Sequence, residues 1–240
     1  MIWDRFGGAS HAFDHPVTRW IAIGVGAAIV VALLVIGILS AVGAVKDPLR
    51  RELWKRTLAW AVMAPLMIGP VLLGPGWTIL AVTCLSLMCY SEFARATGLF
   101  REKLVSAVVG IGILAINVAA FDHWYGFFVA LFPLTVIIIA SASILPDNPK
   151  GYLQRVALGV LAYMLFGSSL AHVSYMTNDK DYRPIVLLLL LGVQLNDVFA
   201  FCVGKTLGHR KLVPHTSPGK TLGGHLGALV LTTPLVAVIA

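Results

Sequence analysis

From its start the chain alternates long apolar runs with short breaks that are charged or rich in proline and glycine. Reading run by run gives eight spans, at 18–45, 57–74, 77–97, 104–121, 124–145, 153–176, 184–204 and 222–240. Most reach the length of about 20 apolar residues that crosses a bilayer as a helix. Hydrocarbon offers the backbone no hydrogen-bonding partner, so such segments are expected to be helical. No internal repeat, low-complexity tract or segment of soluble-domain character interrupts the pattern. The expected fold is therefore all-α: a polytopic integral membrane helical bundle of about eight transmembrane helices. Residues 1–17 are an N-terminal segment outside the membrane, and 18–240 form one transmembrane domain.

Composition agrees. Hydrophobic residues make up 58% of the chain and charged residues 12%, against about 25% charged in a soluble domain. The apolar run at 20–45 is too long for the h-region of about 7–15 residues in a secretory signal, so it reads as a retained first span. The three cysteines, Cys84, Cys89 and Cys202, lie in apolar segments without metal-ligand spacing and read as packing residues.

The net charge of +7 has an explanation in topology rather than in nucleic acid. If the N-terminus lies outside, the inner loops and span ends carry fourteen of the eighteen Lys and Arg residues. Only Arg5, Arg19, Lys180 and Arg183 remain outside. The positive-inside rule selects that orientation and puts the 204–221 loop in the cytoplasm, with a bacterial inner membrane as the expected location. The basic segment 46–56, KDPLRRELWKR, reads as a loop on the membrane surface, with Leu49, Leu53 and Trp54 dipping into the interface.

Ionisable residues inside spans are costly and therefore informative. Asp197 sits within LLLLLGVQLNDVFAFCVG, where an aspartate near a helix centre costs about 2.5–3.5 kcal/mol on insertion scales. Gln194 and Asn196 add polar atoms in the same turn, and Gln194 shares a face with Asp197 at i, i+3. The plainer reading is a helix–helix hydrogen bond. The placement just ahead of a basic loop favours a functional site. Glu92 is the second such acid, and Arg95 at i+3 is positioned to neutralise it. His172 reads as an interfacial polar residue, and His123, with Trp124 and Tyr125, as an interface anchor.

The loop GKTLGHRKLVPHTSPGKT holds Lys205, Arg210, Lys211 and Lys220, plus His209 and His215. Cations at this density beside an acid suit a polyanion, with a metal bridging phosphates to the carboxylate. SPGKT resembles the end of a phosphate-binding loop, but that motif requires a glycine where Pro214 stands, and the GKT at 204–206 fails likewise at Phe199. Serine followed by proline predicts instead a helix N-cap at Ser217, with Lys220 and Thr221 in a first turn whose amides face an anion. The plainer reading is an ordinary capped helix entry. Gly223, Gly224 and Gly227 read as a close-packing face.

Asn196-Asp197, the Ala-Phe and Gly-Lys that follow, then Lys211 and Ser217-Pro-x-Lys220-Thr221 together resemble the CDP-diacylglycerol synthase (phosphatidate cytidylyltransferase) family over 196–224. The stretch SEFARATGL is also similar to a family segment. The resemblance implies that 18–176 are N-terminal helices and 184–240 the catalytic region. It implies transfer of CMP from CTP to phosphatidic acid, giving CDP-diacylglycerol and pyrophosphate in phospholipid biosynthesis, with Mg²⁺ or another divalent cation. Asp197 would be catalytic and the metal ligand, and Lys220 catalytic. Asn196, Lys205, Lys211, Ser217 and Thr221 would bind substrate. The expected partners are CTP, phosphatidic acid and membrane lipids, without nucleic acid, and a homodimer is the self-association considered.

The sequence departs from the family pattern at Leu222 and Gly223, where an aromatic and an acid are usual. The family's C-terminal signature, with a GHGG and a second acidic motif, is not within these 240 residues. Asp197 is the one acid beyond Arg183. A truncated chain, inactive or impaired, is accordingly expected. Two other functions fit the pattern less fully: a non-catalytic membrane scaffold or pseudoenzyme, and a small-anion transporter using Asp197, though no inverted halves are visible.

Overall fold

A computed structural model describes residues 5–42, 47–208 and 210–239, apart from the side chains of Pro48 and Leu49. Lys46, His209 and Ala240, which entered the sequence reading, lie outside the described residues, as does the side chain of Leu49. Helices α1 (Pro16–Ala41), α2 (Asp47–Leu73), α3 (Pro75–Thr97), α4 (Lys103–Phe121) and α5 (Tyr125–Ala142) come first. The sixth span is α6 (Tyr152–Ala162), a π-helical stretch Tyr163–Ser169, and α7 (Leu170–Met176). Then come α8 (Tyr182–Thr206), the strands β1 (Lys211–Val213) and β2 (Ser217–Thr221), and α9 (Leu222–Ile239). Among the described residues eight helices are long and apolar enough to cross a membrane, one for each expected span. The chain is a helical polytopic membrane protein, and among the described residues its β structure is one short hairpin.

Two local differences from expectation have clear causes. The basic segment expected as a surface loop is helical from Asp47, because its charges support a helix start. Asp47 sits in the first turn and bonds Arg50 at 2.8 Å, and Glu52 bonds Arg56 at i+4 at 2.6 Å. An acid at a helix N-terminus and an i, i+4 pair both favour the helix. The π-helical stretch in the sixth span accommodates a large ring. Tyr163 is fully buried, and a Cβ on Gly112 or Gly167 would come within 2.9 and 2.6 Å of its side chain.

The chain divides into two compact units. One comprises the residues up to His11 with Pro70–Tyr182. Its core is centred on α4, where Val105, Val109, Ile113 and Ile116 pack with Ile139 of α5 and with Tyr163. The N-terminal segment is fastened onto this unit: Phe6 fills the space over Gly76 and meets the Trp77 ring edge-on at 5.6 Å, while Arg5 bonds Asn178 at 3.0 Å. At the opposite end of the helices Arg155, only 7% exposed, ties down the 143–150 turn. It donates to the carbonyls of Lys150 (2.9 Å), Ser143 (3.4 Å) and Asn148 and lies 3.9 Å from Glu102.

The other unit comprises Ala12–Gly69 and Arg183–Ala240, and so contains α1, most of α2, α8, the hairpin and α9. Trp54 Nε1 donates to Ser40 Oγ at 3.3 Å, linking the start of α2 to the end of α1. α8 and α9 meet backbone to backbone. A Cβ on Gly224 would lie 2.6 Å from the Ala200 carbonyl and 2.9 Å from Gly204 Cα, and one on Gly227 would strike Val203 at 2.4 Å. Small residues allow such contact between helices in a membrane, where packing rather than the hydrophobic effect drives association. The close-packing reading of Gly223, Gly224 and Gly227 is borne out.

Arg155→Ala removes three bonds from a buried cation and should cost about 2 kcal/mol or more, with Arg155→Lys recovering little because one ammonium cannot reach all three carbonyls. Thermal unfolding in detergent checks this. Gly224→Val would push α9 off the α8 backbone at a cost of about 1–3 kcal/mol, several degrees in unfolding temperature. Gly223→Ala, with its nearest neighbour at 3.1 Å, should be the milder change.

Candidate functional site

The site residues foreseen from the sequence fall in one unit, on α8 and on the hairpin between α8 and α9. The hairpin overturns one expectation. SPGKT is not the first turn of a helix: Ser217–Thr221 is β2, pairing antiparallel with β1 so that Lys211 faces Thr221 and Val213 faces Ser217. The register shifts by a bulge between Lys211 and Val213. Ser-Pro was a sound N-cap pattern, but the helix is capped four residues later. Thr221 Oγ1 accepts the Gly224 amide at 3.2 Å, and Leu222 N closes the turn on Arg210 O at 2.9 Å. Strand pairing satisfies the backbone at Lys211–Val213 and leaves the cap to a threonine that is itself buried.

Thr221 is thus fixed by the α8–α9 contact. Its hydroxyl lies 3.0 Å from where a Cβ on Gly204 would be and 2.2 Å from one on Gly208. A side chain at 208 would exclude the threonine outright, and one at 204 would press tightly on it. The G-x-x-x-G spacing of 204–208 is the sequence signal, overlooked beside the lysines, that marks this approach.

The cations lie on the elements that meet at that fixed point. Lys211 and Lys220 are exposed on β1 and β2, Arg210 is exposed just before β1, and Ser217 is half-buried. The Lys211 ammonium donates to the Pro218 carbonyl, which holds it across the hairpin and leaves two N–H groups for a ligand. On α8, Lys205 occupies the last turn with its ammonium 4.5 Å from the centre of the Phe201 ring. This cation–π contact turns the side chain back along the helix. Asp197, Phe201 and Lys205 follow at i, i+4 and i+8, so acid and ammonium share a stripe about 12 Å long in helix rise.

Asp197 and Asn196 are both exposed, and neither forms a hydrogen bond or ion pair with another described residue. The Gln-x-Asn-Asp cluster divides. Gln194 is half-buried and lines a groove with apolar residues, whereas Asp197 stays off that lining. Among the described residues no three His, Cys, Asp or Glu side chains gather as a metal site. Asp197 nonetheless suits a Mg²⁺ ion held chiefly by substrate phosphates, since Mg²⁺ is usually bound by one or two carboxylates plus phosphates and waters.

The remaining candidates have structural roles. Glu92 bonds Arg95 at 3.1 Å on the exposed side of α3, the neutralisation expected from their spacing. His172 contacts the Ser168 carbonyl at 2.7 Å, and the His123 ring meets Tyr175 edge-on. Cys84, Cys89 and Cys202 are free thiols.

Comparison with known proteins supplies the context for this arrangement. The uncharacterized protein YnbB of Escherichia coli is 26% identical over 159 residues, covering 64% of this chain and 52% of its own. A phosphatidate cytidylyltransferase of Bacillus subtilis is 28% identical over 148 residues, 58% of this chain and 54% of that one. A phosphatidate cytidylyltransferase of Aquifex aeolicus is 38% identical over 69 residues, 28% of this chain and 26% of its own. The chain therefore spans about half the length, or less, of these curated relatives. No solved structure matches it. The profile of the cytidylyltransferase family matches residues 54–240, a stretch that includes α8, the hairpin and α9, and the chain belongs to that family.

Proposed function

We propose that the protein acts as a phosphatidate cytidylyltransferase, moving CMP from CTP to phosphatidic acid at the inner face of a bacterial membrane. The observation that carries this reading is the grouping of Lys205, Lys211 and Lys220 around the α8–α9 contact, with Asp197 on the α8 stripe above them. Family membership and the two relatives that bear this enzyme's name support it. The orientation rests on the bias of Lys and Arg toward the ends of the spans that include the hairpin.

In the reaction a phosphate oxygen of phosphatidic acid attacks the α-phosphorus of CTP. One P–O bond forms, the α–β bridging bond breaks, and pyrophosphate leaves with the displaced electron pair. Proteins assist such transfers by positioning and electrostatics more than by covalent chemistry. The exposed ammonium groups of Lys211 and Lys220 neutralise the triphosphate from the hairpin, and Lys205 does so from α8. Ser217, beside them on β2, offers a hydroxyl to a phosphate oxygen. Thr221 holds the hairpin against α8, its hydroxyl accepting the Gly224 amide while its own O–H remains to donate to a phosphate oxygen. Asp197 is the carboxylate for a divalent ion, with Asn196 next to it as a supporting amide. Mg²⁺ bound there would offset charge on the triphosphate.

Formation of CDP-diacylglycerol from CTP and phosphatidic acid, assayed in nanodiscs, should depend on a divalent ion. CTP binding, measured by equilibrium dialysis in nanodiscs, tests the function separately. Lys220→Ala and Lys211→Ala should each weaken CTP about 10–100-fold, the range for losing a charge-assisted hydrogen bond. Asp197→Asn should remove the dependence of binding and turnover on divalent ions while membrane insertion stays normal. No detectable CTP binding by the parent chain would overturn the proposed function.

A further inference from the structure

The same unit contains a groove of 320 Å³ between α1, α2 and α8, of the size of small-ligand pockets, about 300–1,000 Å³. Its lining runs from Ile21 to Ala32 on α1, from Thr57 to Ile68 on α2 and from Leu187 to Val198 on α8. Each stretch rises about 16 Å. All the lining side chains are apolar except Thr57 and Gln194.

The groove has a charged end. Counting round α8 from Leu187, the lining face returns to the same angle at Lys205, eighteen residues or five turns on. On α2 the face that carries Thr57 continues back, at i−7, to Arg50. The first turns of α2 hold Arg50, Arg51, Lys55 and Arg56 against Asp47 and Glu52, so cations exceed acids there. The Trp54–Ser40 bond places that end of α2 beside the end of α1. At the depth of the groove the surrounding medium is hydrocarbon, and at its end the protein is cationic. This pattern fits an acyl chain carried by an anionic headgroup.

We propose that this groove seats one acyl chain of the phosphatidic acid substrate, its phosphate toward Lys205 and Arg50. The inference rests on the function proposed above and adds the lipid's position. Gln194, one helical turn inside Val198, makes no hydrogen bond to another described residue. Ala28 and Ala64, small side chains in the lining, leave the width for the chain.

Photo-crosslinking tests this in nanodiscs, using phosphatidic acid with a diazirine at the tip of one acyl chain. Label should fall near Ile21, Ile68 and Leu187, and move toward Thr57 and Val198 when the diazirine is placed near the ester. Excess phosphatidic acid should suppress labelling at least 10-fold more effectively than phosphatidylcholine of the same chains. Ala28→Trp, on an exposed face of α1, should reduce labelling about 10-fold. Label spread evenly over the helices, or suppressed equally by phosphatidylcholine, would show only annular lipid and overturn the inference. Headgroup-selective labelling without CTP binding would uphold the groove and remove the proposed function. CTP-dependent turnover with label elsewhere would do the reverse.

Discussion

The contact between the end of α8 and the start of α9 is the constraint on which the rest of the site depends. Two helix backbones cannot approach to this distance if side chains intervene, and here Gly204, Gly208 and Gly224 remove them. Thr221 fills the remaining space, and its hydroxyl caps α9 through the Gly224 amide. Because the cap and the helix contact involve the same residue, the hairpin is anchored at its base. The lysines on the two strands can then be exposed and long without losing their placement, since the backbone that carries them is held by packing.

This anchoring also explains why a polar hairpin belongs next to apolar helices. Exposed cations gain little from one another and are well hydrated, so Lys205, Arg210, Lys211 and Lys220 contribute little to folding. Their density is what the polyanion binding proposed above would require. The acid is arranged differently. Asp197 lies two turns back along α8, on a stripe with Phe201 and Lys205, where it meets no basic side chain among the described residues. A carboxylate kept apart from its nearest cation remains available to a metal ion that arrives with phosphates.

Most of the architecture was legible in the sequence because hydrocarbon imposes one solution on long apolar runs. Pro75 at the start of α3, Gly98 after its end and the charges at 101–103 marked boundaries that the structure repeats. What failed to show did so for local reasons. The 46–56 segment looked like a loop because its charges were read as headgroup contacts, although Asp47 with Arg50 and Glu52 with Arg56 also have helical spacing. SPGKT looked like a helix start because Ser-Pro is a good cap in isolation. Pairing with Lys211–Val213, a contact between separate segments, decided otherwise. The π-helical turn at Tyr163 depends on Gly112, fifty residues away in sequence, and no local pattern could announce it. For the candidate site, the residues were legible but their packing was not: Thr221, read as a substrate ligand, also caps α9, and Gln194, grouped with Asp197, lines the groove.

The central claim is that the hairpin and the end of α8 hold the triphosphate of CTP. The most direct measurement is affinity labelling with a CTP analogue that carries a photoreactive group on its terminal phosphate, followed by peptide mapping. The account predicts label within 205–221, removed by excess CTP and by Lys220→Ala. Label confined to the unit built around α4, or label at 205–221 that excess CTP does not displace, would contradict it.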